Sequence, residues 1–160
     1  MKKINLENNL FTRKPALPVF LKGGPKAILL LHGYNGYTED FNYIAKRLHD
    51  AGYTVSVPRL AGHGTSANDF LSTNSDMWLR SAIDSYLDLK CSYKNIYICG
   101  LSMGGLLALI LASLFSIKKI AVMAPALKNR SRNIKFTPFL KFFMKKQKRI
   151  WIRTEKNEDD

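Results

Sequence analysis

The chain has 160 residues, 46% of them hydrophobic and 23% charged, which is typical of one globular domain. Two cysteines argue against a disulfide framework. The longest apolar run, residues 106–115, is far shorter than the roughly 20 residues that a membrane span needs. The N-terminus has no apolar signal-peptide core, so we expect a cytoplasmic protein.

The formal net charge of +13 is unevenly distributed. Residues 128–160 carry 11 Lys+Arg and 4 Asp+Glu, and all four acids lie at or after Glu155. We therefore separate a basic amphipathic segment, 128–153, from a polar tail, 154–160. The body of the domain is then 26–127, preceded by an N-terminal loop or edge strand, 1–25.

In chain order, residues 16–21 are predicted to form a short strand, and the apolar run 26–31 a strand buried on both faces. Thr38 is predicted to cap a helix that ends near His49, and Ser75 to cap a helix over 76–90. Between these helices lie a strand at 53–57 and a glycine-rich loop around His63. The remaining elements are strands at 95–99 and 119–123 and a helix at 103–115. This alternation predicts βαβ units and a parallel sheet.

The sequence around Ser102 has the pattern of a nucleophile elbow. Gly100 and Gly104 flank Ser102 at two residues on either side, after a strand and before a helix. This G-x-S-x-G arrangement exposes a serine on a sharp turn, where neighbouring Cβ atoms would not fit. The N-terminus of the following helix faces the serine with free N–H groups, which suit a developing oxyanion.

Four segments in register extend this pattern: LLLHGYNG after the first buried strand, GHG after the next, GLSMGG at the elbow and VMAPAL after the last strand. With them the chain resembles an α/β-hydrolase of the carboxylesterase and monoacylglycerol-lipase type over roughly 26–127. The resemblance implies a three-layer α/β/α sandwich with a mostly parallel sheet. It also implies a serine hydrolase of carboxylic esters that works through an acyl-enzyme.

The resemblance assigns roles to individual residues. Ser102 is the expected nucleophile, and the backbone N–H groups of Tyr34 and Met103 are the expected oxyanion donors. The Tyr34 ring either lines the acyl pocket or lies on a surface loop. Structural roles in the loops are expected for five further residues: His32, Gly33, Gly100, Gly104 and His63.

The acid and base of the triad are missing. In this fold the triad runs Ser, then Asp or Glu, then His along the chain. No histidine follows Ser102, and the only later acids lie in the polar tail. We therefore expect an N-terminal portion of such a hydrolase, whose C-terminal part is incomplete and which alone is weak or inactive. The strand at 119–123 is then expected to leave an apolar sheet edge that favours self-association.

Three interpretations of the basic amphipathic segment remain open. Residues 134–153 form cap helices over an acyl pocket, an amphipathic helix at a membrane surface, or a segment that packs on the rest of a larger domain. No recognition motif supports nucleic-acid binding, and no metal cluster or cofactor motif is present.

The functional hypotheses are an ester or acylglycerol hydrolase, a non-catalytic remnant that binds acyl ligands or partners, and one half of a two-chain enzyme.

Overall fold

The fold is built on a parallel sheet with one antiparallel edge strand. The computed structural model describes residues 12–125 and 127. In this part of the chain the sheet has five strands: β1 (Val19–Leu21), β2 (Lys26–Leu31), β3 (Thr54–Val57), β4 (Asn95–Leu101) and β5 (Ile120–Met123). Their order is β1-β3-β2-β4-β5, and among these five only β1 runs antiparallel to its neighbour. The predicted α/β fold with a mostly parallel sheet is confirmed.

Helices cover both faces of this sheet. The α-helices of the described residues are α1 (Asn42–Asp50), α2 (Ala67–Ser72), α3 (Ser75–Ser92) and α4 (Met103–Leu114). Alternate residues of β2 point to opposite faces, as the pleat of a strand requires. Leu29 and Leu31 pack with α3 and α4, whereas Ile28 and Leu30 pack with α1. Because both faces of β2 are covered, its sequence reads as one apolar run rather than an alternation.

Several local predictions need correction. The N-terminal strand is only Val19–Leu21, because a 3-10 turn occupies Lys14–Ala16. Thr38 does not cap a helix: its hydroxyl donates to Leu17 O at 2.7 Å and fastens the N-terminal segment to the body. α3 is capped by the Asn74 side chain, which accepts from two amides of the first turn. The glycine-rich loop after β3 contains an unpredicted helix, α2.

β5 forms an edge among the described strands. It pairs with β4 only, and Ile120 and Val122 are 36% and 38% exposed. Within 12–125 and 127, no helix is long and apolar enough to cross a membrane. The predicted segments 128–153 and 154–160 lie outside the described residues, so their boundaries stay predictions.

Candidate active site

Ser102 lies at the turn between β4 and α4 with a backbone conformation that L-residues rarely adopt. Its φ is 54° and its ψ is −114°. A non-glycine residue in this region is strained by about 1–3 kcal/mol and persists only where its surroundings hold it. Here the Ser102 N–H donates to Met123 O at 2.8 Å, and Ser102 O accepts from Gly105 N at 3.0 Å. β5 and α4 thus hold the strained turn from two sides.

The two predicted elbow glycines lie where the backbone is most crowded. A Cβ added to Gly104 would overlap Leu31 O and approach His32 O to 2.7 Å. A Cβ added to Gly100 would overlap Gly104 O. The first turn of α4 therefore rests directly against the ends of β2 and β4, and this contact projects Ser102 from the sheet.

The loop after β2 lies beside Ser102. Leu31 pairs with Gly100 in the parallel register, so the residues that follow them meet at the carboxyl edge of the sheet. A Cβ placed on Gly33 would stand 3.4 Å from Ser102 Cβ and 4.0 Å from its Oγ. The structure thus brings the loop after β2 next to the serine at Gly33.

The two predicted oxyanion donors are the backbone N–H groups of Tyr34 and Met103. Met103 is the first residue of α4, where an N–H has no partner within the helix. Among the described residues, neither the Met103 N–H nor the Tyr34 N–H has an acceptor. The helix N-terminus adds a positive dipole end. The prediction that these two amides bind an oxyanion rests on these features.

His32 fixes the direction of the Tyr34 N–H, a predicted oxyanion donor. Its Nε2 accepts from Leu60 N at 3.2 Å, so the neutral ring carries its proton on Nδ1, which lies 3.1 Å from Gly33 O. Gly36 N also donates to Gly33 O, at 3.0 Å. The carbonyl and the N–H of a trans peptide point in opposite directions. Holding Gly33 O therefore turns the Tyr34 N–H away from the His32 ring.

No imidazole of the chain is available as a base for Ser102. His32 is fully buried and both its ring nitrogens are occupied. His63 uses its nitrogens on Ala61 O and Asn35 N. His49 Nε2 lies 3.0 Å from Lys22 O, at the far end of α1. These are the three histidines of the sequence, so no base for the serine is found among them.

The Tyr34 ring packs into an aromatic cluster that the sequence did not reveal. It meets Phe70 of α2 at 5.1 Å and Trp78 of α3 at 5.6 Å between ring centroids, both edge to face. His63 contacts the same two rings at 4.9 Å and 5.7 Å. Tyr34 stays 58% exposed, so its ring joins this cluster on one side and faces solvent on the other.

Acid is expected to destabilise the fold through His32. Burial is the main reason why its pKa falls from 6.5 to about 4, and the neighbouring His63 lowers the pKa further. Between these two pH values the unfolded chain binds more protons than the folded chain. The free energy of unfolding should therefore be highest above pH 6.5 and fall by about 3 kcal/mol as the pH decreases through this window.

Urea denaturation at about pH 7 and about pH 4.5 measures this change. A His32→Asn variant should show a smaller difference between the two pH values, whereas His49→Asn, outside the site, should keep the wild-type difference. Equal differences in all three proteins would contradict the assignment to His32.

A mostly parallel sheet that presents a positive-φ serine on a sharp turn between a strand and a helix is the arrangement of an α/β hydrolase. The chain belongs to the family described as serine aminopeptidase, S33, whose family model matches residues 24–159.

The chain is 35% identical over 126 residues to a carboxylesterase from Bacillus subtilis, covering 78% of this chain and 51% of the relative. It is 41% identical over 97 residues to a thermostable monoacylglycerol lipase from Bacillus sp. H-257, covering 61% and 39%. A solved structure from work on LipS and LipT, two metagenome-derived lipolytic enzymes, matches with a TM-score of 0.76 at 27% identity, covering 79% and 52%. The chain thus spans about half the length of the first of these relatives.

Sequence reasoning missed two parts of this site. α2 brings Phe70 to the cluster, and Ser66 was available as its N-terminal cap signal, since its side chain accepts from Asp69 N. Asn35 has a φ of 52°, which the Asn35-Gly36 dipeptide could have suggested because Asn tolerates this conformation. The roles of the site residues stay predictions that rest on the geometry of the Ser102 turn and the loop after β2.

Proposed function

We propose that this chain supplies the nucleophile and the oxyanion donors of a carboxylic ester hydrolase that acts on acylglycerols or short-chain esters. Ser102 Oγ would attack the ester carbonyl carbon and lose its proton to a base. The carbonyl oxygen would become the oxyanion that the Tyr34 and Met103 N–H groups bind. The alcohol leaves, and water then hydrolyses the acyl ester on Ser102.

One observation carries this proposal. Ser102 has a strained φ of 54° and lies next to Gly33 of the loop after β2. In the described part of the chain, neither the Met103 N–H nor the Tyr34 N–H has an acceptor. A serine that merely begins a helix needs neither the strain nor the second amide from another loop. The carboxylesterase and the monoacylglycerol lipase among the relatives support carboxylic esters as the substrate class.

Selective covalent labelling tests the nucleophile. We expect a fluorophosphonate to modify Ser102 slowly, because the oxyanion donors are present and a base is not. Mass spectrometry of the digested protein should locate the adduct on Ser102 alone, and Ser102→Ala should abolish it. Ser113→Ala is the matched control, because Ser113 is an exposed α4 serine that bonds its own helix at Ile110 O. Equal labelling of Ser102 and Ser113 would argue against an oxyanion site.

A second candidate is a half-domain that needs another chain to become catalytic, or that binds acyl ligands without turnover. It is favoured because all three histidines are engaged in hydrogen bonds away from Ser102. Adding the C-terminal half of the Bacillus subtilis carboxylesterase as a separate chain distinguishes a half-enzyme that needs a second chain from a remnant that only binds acyl ligands. Ester hydrolysis that depends on Ser102 would indicate a two-chain enzyme, whereas ligand binding without turnover would indicate a remnant.

We propose two further kinds of partner. The exposed Ile120 and Val122 of β5 support self-association through this edge. Contact of residues 134–153 with a membrane surface rests on the sequence only, since that segment lies outside the described residues.

A further inference from the structure

A second buried imidazole holds the loop that carries the Tyr34 donor. The Asn35 N–H donates to His63 Nε2 at 3.3 Å, and His63 Nδ1 lies 3.0 Å from Ala61 O. Because Nε2 accepts from an amide, the neutral ring carries its proton on Nδ1 and donates it to Ala61 O. His63, which is 1% exposed, thereby joins the loop after β2 to the loop after β3.

We propose that His63 is a positioning residue for the oxyanion hole. By accepting a hydrogen bond from the Asn35 amide, it fixes the turn that presents the Tyr34 N–H. The inference rests on the proposed function for its catalytic meaning. Its structural part, the dependence of the loop on the His63 acceptor, can be tested without any catalysis.

The conformation of Asn35 gives the reason why an anchor is needed. Its φ of 52° lies in the left-handed region, which disfavours L-residues by roughly 1–2 kcal/mol. The next residue, Gly36, closes the turn on Gly33 O, the carbonyl whose peptide bears the Tyr34 N–H. A hydrogen bond to the amide of Asn35 therefore stabilises the strained residue on which the whole turn depends.

The His63 ring is itself held in one direction. It contacts three rings edge to face, with centroid distances of 4.8 Å to His32, 4.9 Å to Phe70 and 5.7 Å to Trp78. The Tyr34 ring packs against the same Phe70 and Trp78. The loop after β2 is thus held to one cluster twice: the Tyr34 ring packs against it, and the Asn35 amide donates to His63, which belongs to it.

Only neutral His63 can act in this way. Protonated Nε2 would direct an N–H at the Asn35 N–H, and the hydrogen bond would be lost. Burial lowers the pKa of His63, and the charge of Arg59, whose guanidinium donates to His63 O, lowers it further. Of the rings shown against His63, only His32 is titratable. The Tyr34 phenol packs on Phe70 and Trp78 of the same cluster. The anchor should therefore be intact at neutral pH and lost in acid, below the ordinary pKa of 6.5.

The experiment compares three variants of the full chain. His63→Leu removes the acceptor, whereas His63→Gln keeps an oxygen acceptor near the position of Nε2 but does not titrate. His49→Leu is the matched control, the same change at a histidine outside the site. The first readout is the hydrogen-exchange protection of the Asn35 amide, measured by NMR as a function of pH. The second is the rate at which a fluorophosphonate labels Ser102, measured at a temperature at which each variant is folded.

We expect His63→Leu to lose the Asn35 protection and to slow labelling about 10- to 100-fold, as misplacing one oxyanion donor does. His63→Gln should retain most of the Asn35 protection and of the labelling rate, but the protection should no longer depend on acid. His49→Leu should match the wild type. Unchanged Asn35 protection in His63→Leu, or the same acid dependence in His63→Gln, would overturn the inference. Absence of label in the wild type would instead count against the proposed function, and the amide exchange would still decide the role of His63.

Discussion

The purified 160-residue chain is expected to hydrolyse p-nitrophenyl butyrate with a kcat about 10⁶-fold below that of a complete serine esterase assayed in parallel. At neutral pH a serine hydroxyl is a weak nucleophile unless a base accepts its proton. Each of the three histidines is bound elsewhere: His32 to Gly33 and Leu60, His63 to Ala61 and Asn35, and His49 near Lys22. The oxyanion donors alone leave about 10³–10⁴ of rate over water.

Comparing the initial rates of Ser102→Ala and the wild type shows how much of the residual activity depends on the Ser102 hydroxyl. Without a base, removing the hydroxyl should lower the rate only slightly, because most of the remaining acceleration comes from the oxyanion donors. Rapid turnover that Ser102→Ala abolishes would contradict this prediction, since it would require a base that the three histidines do not provide.

A Gly104→Ala substitution is expected to lower the free energy of unfolding by about 3 kcal/mol or more. The added Cβ would overlap the carbonyl oxygen of Leu31 and lie 2.7 Å from His32 O. These are backbone atoms at the end of a central strand, so the clash cannot be relieved by rotating a side chain. Relief requires α4 to move away from β2, which would also displace Ser102 from the loop at Gly33. Urea denaturation measures the change.

Gly105→Ala is the matched control in the next position of the same helix. There the added Cβ would lie 3.3 Å from both Gly100 O and Pro125 Cβ, a tight distance that small shifts can accommodate. Alanine also has the better helix propensity by about 1 kcal/mol. We expect this variant to stay within about 1 kcal/mol of the wild type. Similar losses in both variants would show that helix packing in general, and not the close approach at Gly104, sets the cost.

Much of the architecture was predictable because it depends on local patterns. The apolar run of β2 has the same bounds, Lys26–Leu31, in the prediction and in the structure, since burial on both faces leaves an unmistakable apolar stretch. The elbow was equally readable, because the crowding around Gly100 and Gly104 permits no other residue type. Boundaries failed where caps compete: Asn74 and Ser75 are both good N-caps, and only the observed hydrogen bonds choose Asn74.

The site was predictable in its residues and not in its connections. His63 and Asn35 are 28 positions apart, as are His32 and Leu60. Their meeting depends on β3 lying next to β2, so that the loops after these two strands run side by side. A pattern of strands and helices does not specify which strands are neighbours, so it could not predict these hydrogen bonds or the tautomers that they impose.

The sequence by itself determined the parallel α/β framework, the serine elbow and the fact that no histidine follows Ser102, because each is written in the order of residue types along the chain. The tertiary structure alone decided that Ser102 has a φ of 54°, that α2 contributes Phe70 to a cluster around Tyr34, and that two buried imidazoles form hydrogen bonds to the loop after β2. These features arise from contacts between segments distant in sequence, whose free energies are set by packing and not by local preference.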